Sequence, residues 1–519
     1  MERKRETWKS QIGLILAAAG NAVGLGNLLR FPSKAALYGG GVFMVPYFIS
    51  LALLGLPVML LEWVIGRYAG KRGHGSMTGI MGLFFGHANW ARILGSLGVA
   101  IPVLIVMYYI WIESWTLGFA FLSLLKKIPA PVVTTDPYLA MKPYLDFFKN
   151  YTSYSTYTFK IFSTNFVIAI PSLCALVFFW ITLLVNWWIL QKGIARGIEI
   201  TAKIGMPTLI IMGIFLGFVS ISTNNWKGLE GLKFIYNLNL SGINNPKVWV
   251  EAAGQIFFTL SLGMGAIATY ASYVKPKEDI VKMGLSTAGF NEFVELVIGA
   301  SIAIPAAFAM FGASVVKELG EAGTFRIGFM TMPAVLMKLS LGPYIAFIWF
   351  SLLFIAALTS SLALSQPLIA LFEDEMKWSH TKSVTVTMLL IVLGGHLSAF
   401  VPKFLDEVDF WAGCVFLLLF ALFEIFVFVW CFGIENFYKE LTKDTSIKLP
   451  KIVVYITGVI SPIFILAISY FWFSHQLGQI ISEADPNKWI ARIFITAFLL
   501  FLGIIAVISR KRVLEGPRI

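Results

Sequence analysis

Charge is what this chain most lacks. Only 13% of its 519 residues are Asp, Glu, Lys or Arg, against roughly 25% in a typical soluble protein. That excludes an ordinary soluble enzyme, and the apolar composition excludes a disordered or fibrous chain. Cysteine is scarce. Cys174, Cys414 and Cys431 lie in apolar runs without ligand spacing, so they read as core residues and carry no information on redox compartment. The histidines (His74, His87, His380, His396 and His475) are scattered, mostly at the ends of apolar runs. With no HExxH and no Cys/His cluster, a transition-metal site has no support. No GxxxxGK[ST] loop is present, which argues against ATP hydrolysis in this chain. No convergent acid, base or metal set appears, so the chain does not read as an enzyme.

What the chain does have is long apolar runs. Apolar residues make up 58% of it, Phe alone accounts for 45, and the mean hydropathy is +0.80. Runs such as PTLIIMGIFLGFVSI (207–221) and YIAFIWFSLLFIAAL (344–358) are continuous, not alternating as barrel strands are. At about 20 apolar residues per helical crossing of a core roughly 30 Å thick, the length predicts about twelve crossings. They fall near 11–37, 41–69, 93–124, 166–185, 190–221, 247–272, 277–311, 341–371, 382–401, 409–433, 451–474 and 488–510. The start, MERKRETWK then IGLILAAAG, imitates a secretory signal. Its apolar stretch continues to Leu29 without a charge, so it reads as a retained first crossing.

The net charge of +12 fits a membrane protein better than a nucleic-acid binder, because no basic stripe with interleaved aromatics appears. Basic residues cluster in short loops: Lys192, Arg196 and Lys203; Lys275, Lys277 and Lys282; Arg510, Lys511 and Arg512. By the positive-inside rule these loops and both termini are cytoplasmic. The polar, Tyr-rich segment 126–165 is then an external loop, and 312–340, with Gly320, Gly323 and Pro333, reads as an external helical-hairpin lid.

Two crossings are abnormal. The first contains AAGNAVGLGN (18–27) and the sixth FFTLSLGMGA (257–266). Each Gly weakens a helix by about 1 kcal/mol relative to Ala, so these clusters invite unwinding. Unwound backbone at membrane depth is tolerated only in protein or along a cavity. Interrupted helices in corresponding positions of two halves point to an inverted repeat with a midplane site. Close packing through small residues is the plainer account of either cluster alone.

Intramembrane polar residues support that reading. Asn21, Asn27, Thr259, Asn291, Thr359, Ser360 and Ser361 supply neutral oxygens which, with freed carbonyls, suit a small hard cation. A half-helix N-terminus suits a carboxylate. For any single Ser or Thr, a bond to its own helix is the simpler account. Buried acids are costly, and Glu62, Glu113, Glu295 and Glu424 lie within predicted crossings. Glu295, four residues after Asn291, shares its helical face and is placed to hold charge near a cation, to carry a proton, or to serve as a paired structural carboxyl. Arg30 with Asp409, and Arg5 with Asp374, are candidate gates, though sequence alone pairs none of them.

Several ordered motifs resemble the neurotransmitter:sodium symporter family, most closely its bacterial leucine-transporting members. They are GNAVGLGNLLRFP (20–32), GGGVFMVPY (39–47), YYIWIESW (108–115), GQIFFTLSLGMGAIATYASY (254–273), NEFVE (291–295), LTSSLAL (358–364), QPLIALFEDE (366–375) and DEVDFWAG (406–413). The resemblance implies an all-α polytopic fold of twelve transmembrane helices. Helices 1–5 (residues 1–245) and 6–10 (246–435) would form a 5+5 inverted repeat with broken helices 1 and 6, and 436–519 would add helices 11 and 12.

The resemblance also implies two sodium sites. One uses the Ala22 carbonyl, Asn27, Thr259, Asn291 and the substrate carboxylate. The other uses the carbonyls of Gly20, Val23 and Ala356 with Thr359 and Ser360. The implied substrate pocket is Asn21, Ala22, Leu25, Gly26, Ile105, Tyr109, Phe258, Thr259, Ser261, Met264, Ser360 and Leu364. Arg30 and Asp409 correspond to the outer gate, and Arg5 and Asp374, with Trp8 and Tyr273, to the inner one. Met264 replaces the usual Phe, and Ile105 and Leu364 also depart from the leucine-transporting pattern. Glu295 stands where chloride-dependent animal members have Ser, which implies chloride independence with Glu295 supplying the charge.

The expected function is sodium-coupled symport of a neutral apolar amino acid, such as leucine, methionine or alanine, by alternating access at the cell inner (plasma) membrane. The alternative is an amino-acid sensor on the same fold without concentrative transport. The expected partners are a small-molecule amino acid and membrane lipid, with no nucleic acid. A homodimer is compatible with the sequence, which does not fix the oligomeric state.

Overall fold

The computed structural model describes residues 6–134, 136–161, 164–312, 323–482 and 485–515, and the side chains of all of these except 161, 475–482, 514 and 515. Arg5 therefore lies outside the described residues, as does 313–322 of the predicted lid. Ten helices are long and apolar enough to cross a membrane. They are Gly41–Gly70, Asn89–Leu124, Leu173–Gln191, Ile194–Trp226, Ile280–Phe311, Gly342–Glu375, His380–Phe400, Phe404–Cys431, Ile452–Ser474 and Pro486–Val513. Gln11–Ala22 with Gly26–Leu37, bent by 48°, makes an eleventh. Pro246–Thr259 and Ala266–Ser272 flank a non-helical stretch and complete the set as a broken sixth crossing. The crossings are numbered 1–12 in chain order.

Lipid is the solvent for the outer ring, and the side-chain pattern shows it. On crossing 5, Ile200, Ile204, Ile211, Ile214 and Phe218 are all exposed, a helical stripe of the kind that normally faces a core. Crossing 3 is the most buried of the ten continuous spans and crossing 12 the least. Crossing 3 lies along crossing 8, and crossing 1 packs against 5, 7 and 8. The two broken crossings thus lie within the bundle. Cys431 is exposed, and Cys174 and Cys414 are only partly buried. This corrects the core reading: an apolar thiol facing lipid carries no desolvation penalty.

Crossing 1 starts at Ser10, whose hydroxyl accepts the Gly13 N–H at 3.0 Å, an N-cap that satisfies an orphan donor. It breaks after Ala22. Val23 is extended (φ −77°, ψ 99°), and the chain resumes as a π-helical turn at Gly26–Arg30. Crossing 6 breaks at 260–265, where Ser261, Gly263 and Gly265 have φ of 53°, 67° and 67°. Glycine is required twice over at 263. Its φ is left-handed, and a Cβ there would lie 2.6 Å from the Leu417 carbonyl oxygen. The Glu62 carboxylate of crossing 2 accepts the freed Gly263 N–H at 2.7 Å.

Segment 126–165 is more ordered than a plain loop. It holds a helix, Pro137–Thr152, and the start of an antiparallel hairpin, Ser155–Ile161 with Thr164–Ile170. Crossing 4 consequently begins at Leu173 rather than 166. The strands STYTFKI and TNFVIAI are rich in β-branched and aromatic residues, and Phe159 stacks on Phe166 with ring centroids 5.6 Å apart. In the predicted lid, a short apolar helical segment spans Thr324–Leu336.

Candidate functional site

The two breaks face each other across a small cavity of about 30 Å³. Its lining is Asn21, Ala22, Gly24 and Gly26 from crossing 1, Phe258, Ser261 and Met264 from crossing 6, Ile105 and Tyr109 from crossing 3, and Ser360 and Leu364 from crossing 8. Of the pocket residues expected from sequence, only Leu25 and Thr259 fall outside the lining, and Gly24 joins it. Leu25 turns its N–H to the Tyr109 hydroxyl at 3.2 Å. Close backbone approach explains two glycines. A Cβ at Gly24 would lie 2.8 Å from Ser360 Oγ, and one at Gly26 would lie 2.8 Å from the Phe258 ring. Asn21 Oδ1 is buried without a hydrogen-bond partner. No lining side chain is charged. Ile105, Met264 and Leu364 make one wall apolar.

Beside the cavity, Asn27, Thr259, Asn291 and Glu295 form a fully buried polar cluster. Asn27 Nδ2 reaches Thr259 Oγ1 and Asn291 Oδ1 at 2.9 Å and Glu295 Oε2 at 2.8 Å. Its Oδ1 accepts the Gly24 N–H at 2.9 Å, tying the cluster to the break. Thr259 donates to Glu295 Oε2, and Gln255 Nε2 donates to Glu295 Oε1 at 3.1 Å. Glu292 accepts from Tyr47 Oη at 2.8 Å and from Asn291 Nδ2 at 3.2 Å. Among the described residues no basic side chain pairs with either carboxyl. The cluster therefore has acidic oxygens without a resident counter-charge.

A second oxygen cluster joins crossings 1 and 8. Ser360 Oγ lies 3.3 Å from the carbonyl oxygens of Gly20 and Asn21, 3.4 Å from that of Val23 and 3.1 Å from that of Ala356. Thr359 Oγ1 lies 3.1 Å from the Ala356 and Ile355 carbonyl oxygens. Gly20 permits this approach, since a Cβ there would sit 3.0 Å from Thr359 Cβ. One hydroxyl proton cannot satisfy four acceptors at once. Among the described residues no group of three or more His, Cys, Asp and Glu is placed to hold a metal. The donor chemistry is that of neutral oxygens and carbonyls, suited to a hard ion.

The candidate gates are placed differently from one another. The Arg30 guanidinium stacks over the Phe258 ring, 4.6 Å from its centroid. Asp409 accepts from Tyr108 Oη at 2.5 Å. Among the described residues no ion pair joins Arg30 to Asp409. On the N-terminal face, Trp8 Nε1 donates to the Tyr270 carbonyl at 3.0 Å, and the two rings pack edge-on, 5.2 Å apart. The Trp8 N–H reaches the Tyr273 carbonyl at 3.4 Å. Tyr273 Oη accepts from Gln366 Nε2 at 3.3 Å. Asp374 is partly buried on the turn Leu371–Glu375.

Sequence reasoning missed Gln255, Glu292, Tyr47 and Tyr270. Gln255 lies four residues before Thr259 and so on its helical face, a usable signal. Tyr47 reaches Glu292 from another crossing, and no spacing rule reports such a contact.

Two broken crossings facing a polar centre inside a twelve-crossing bundle define a membrane transporter. The comparisons with known proteins make the assignment specific. The model of the sodium:neurotransmitter symporter family matches residues 5–514, and the chain belongs to that family. It is a family of secondary transporters, not enzymes. The crystal structure of MhsT in complex with L-phenylalanine superposes with a TM-score of 0.75 at 28% identity, over 90% of this chain and 99% of that one. An uncharacterized sodium-dependent transporter of Methanocaldococcus jannaschii is 26% identical over 90% of each chain. A sodium- and chloride-dependent taurine transporter of Rattus norvegicus is 26% identical over 88% of this chain and 76% of its own length.

Proposed function

We propose that this sodium-dependent symporter imports a neutral, apolar amino acid, with two sodium ions bound beside it. The observation that carries the reading is the cavity itself: two opposed backbone breaks, an orphaned Asn21 Oδ1 and no charged lining. An α-amino acid brings its own two charges. The Leu25 and Gly26 N–H groups with Tyr109 Oη would hold its carboxylate. Asn21 Oδ1, Ser261 and the carbonyls freed by the breaks offer acceptors for its ammonium. Ile105, Phe258, Met264 and Leu364 would receive an apolar side chain. A charged side chain would find no counter-charge and would bear the desolvation cost. MhsT, as crystallised with L-phenylalanine, supports an amino acid of that kind, and the flexible Met264 suits varied shapes.

The Ala22 carbonyl, Asn27, Thr259 and Asn291 would hold one sodium ion, next to the substrate carboxylate. Asn27 presents Nδ2 to the cluster here, so the reading requires its amide to turn Oδ1 inward around a cation. Glu295 would supply the negative charge. The carbonyls of Gly20, Val23 and Ala356 with Thr359 and Ser360 would hold the other ion. Substrate and the first ion then share a boundary, so each raises the affinity for the other by the same factor.

Crossings 1–5 and 6–10, in residues 1–245 and 246–435, would act as the two repeats. Crossings 1, 2, 6 and 7 would rock against 3, 4, 8 and 9. Arg30 over Phe258, with Asp409 opposite, would close the outer side, and Trp8 with Tyr270 and Tyr273 the inner side. The basic loops on the N-terminal face support a cytoplasmic location for both termini. Equilibrium binding of radiolabelled leucine, methionine, alanine and phenylalanine in Na⁺ against K⁺ tests the reading. Sodium-dependent saturable binding supports it, and equal binding in both salts contradicts it.

A further inference from the structure

Next to the site, three crossings are joined by side chains that the proposed binding chemistry does not use. Asn186 on crossing 4 donates Nδ2 to Glu113 Oε1 on crossing 3 at 2.9 Å. Ser361 on crossing 8 donates Oγ to Asn186 Oδ1 at 2.8 Å. Glu113 and Ser361 are fully buried and Asn186 is 1% exposed. Burying an amide and a carboxyl costs free energy, so three such groups converging in apolar surroundings call for an account.

Their position supplies one. Ser361 directly follows Ser360. Glu113 lies four residues after Tyr109, on the same helical face. Ser361 and Glu113 are therefore the immediate neighbours, along their own helices, of Ser360 and Tyr109, two of the four side chains that crossings 8 and 3 present to the cavity. Apolar packing between helices resists separation better than rotation about the helix axis. A 10° turn of crossing 8 would move a hydroxyl about 4.5 Å from the axis by roughly 0.8 Å. The Ser360 hydroxyl, set 3.3–3.4 Å from three crossing-1 carbonyls, has no such slack. Two directional bonds through Asn186 can fix that rotation.

We propose that Glu113, Asn186 and Ser361 are positioning residues: a strut that sets the rotation of crossing 8, and with it the sodium affinity of the Thr359–Ser360 cluster. The inference rests on the reading of that cluster as a sodium site. Glu113 acts in the strut as an acceptor, through its geometry and not its charge.

The test uses the full chain, purified, with sodium alone as the probe. Thermal stabilisation is titrated with NaCl against KCl at constant ionic strength, and the sodium midpoint is read separately from the baseline stability. Asn186→Leu, which removes both bonds, and Ser361→Ala, which removes one, raise the midpoint by roughly three- to tenfold. Glu113→Gln keeps an acceptor for Asn186 Nδ2 and stays within about twofold. Thr359→Ala is the control for the cluster itself. If Asn186→Leu and Ser361→Ala lower baseline stability but keep the wild-type midpoint while Thr359→Ala shifts it, the strut is refuted and the sodium reading stands. If Glu113→Gln shifts as far as Asn186→Leu, charge rather than geometry is at work and the proposal fails. If the wild type shows no sodium-specific stabilisation, or Thr359→Ala leaves the midpoint unchanged, the sodium reading falls and the strut with it. Should Asn186→Leu not fold, Ser361→Ala decides alone.

Discussion

Removing one hydroxyl, in Ser360→Ala, is the sharpest probe of the second oxygen cluster. Four carbonyl oxygens lie 3.1–3.4 Å from Ser360 Oγ. The hydroxyl can donate to only one of them, and the Ala356 carbonyl, four residues back on its own helix, is the nearest. Without a cation the remaining oxygens crowd one another, so losing the hydroxyl costs little. With a cation the hydroxyl oxygen becomes a ligand. Losing a contact to a charged group costs about 1.5–3 kcal/mol, or roughly a 10- to 150-fold rise in the sodium concentration for half-saturation. The expected result is therefore asymmetric: near wild-type stability in KCl and a large loss of sodium affinity. Equilibrium binding of radiolabelled sodium measures the affinity, and thermal unfolding in KCl measures the stability. Wild-type sodium affinity and stoichiometry in Ser360→Ala would refute the reasoning, as would an equal loss of stability in both salts.

Other consequences follow from particular contacts. Glu62→Ala leaves the Gly263 N–H without its acceptor and destabilises the chain by about 1–3 kcal/mol; Glu62→Gln keeps an acceptor and loses less, as denaturation in detergent would show. Gly26→Ala places a methyl 2.8 Å from the Phe258 ring and is expected to abolish amino-acid binding while sodium still stabilises the Thr359–Ser360 cluster; intact amino-acid affinity would contradict the close approach. Met264→Phe narrows the apolar pocket and shifts preference toward smaller side chains by about 1–3 kcal/mol per methylene excluded, read by competition among alanine, leucine and phenylalanine. His87, in the loop between crossings 2 and 3, has its pKa held below the usual imidazole value by burial and by its neighbours His74 and Arg92. A folded pKa below the unfolded one means that stability is full above the unfolded value and is lost as pH falls through the folded value. Thermal stability is therefore expected to hold above the unfolded imidazole value of about 6.5, to fall as the pH drops below it, and to fall less in His87→Gln.

Much of the fold was legible because lipid imposes a simple rule: a crossing must be long, helical and apolar. The glycine clusters at 20–26 and 263–265 marked both breaks because they recur in corresponding crossings of the two halves, which close packing alone does not explain. The hairpin at 155–170 was not legible as strand. Its run VIAI (167–170) is separated from the apolar residues of crossing 4 only by Pro171 and Ser172, and short apolar runs do not distinguish strand from helix. The lining of the cavity came from matching motifs across the chain, because no spacing rule brings Ile105 or Leu364 against Asn21. Polar partners were the least legible. Glu62 was visible as a buried acid, but its bond to Gly263 depends on how crossing 2 passes the break. Arg30 and Asp409 show the same limit: two charges near one face could be named, whereas the contacts of Arg30 with Phe258 and of Asp409 with Tyr108 needed coordinates.

On the proposed reading, sodium drives an amino acid across the membrane through the paired breaks. Uptake of radiolabelled amino acid into proteoliposomes under an inward sodium gradient tests it directly, with leucine, methionine, alanine and phenylalanine as substrates. The expected result is accumulation above the external concentration, collapse when the gradient is dissipated, and loss in Thr359→Ala/Ser360→Ala. Sodium-dependent binding without accumulation under any gradient would contradict it, and would identify the chain as a sensor built on a transporter fold.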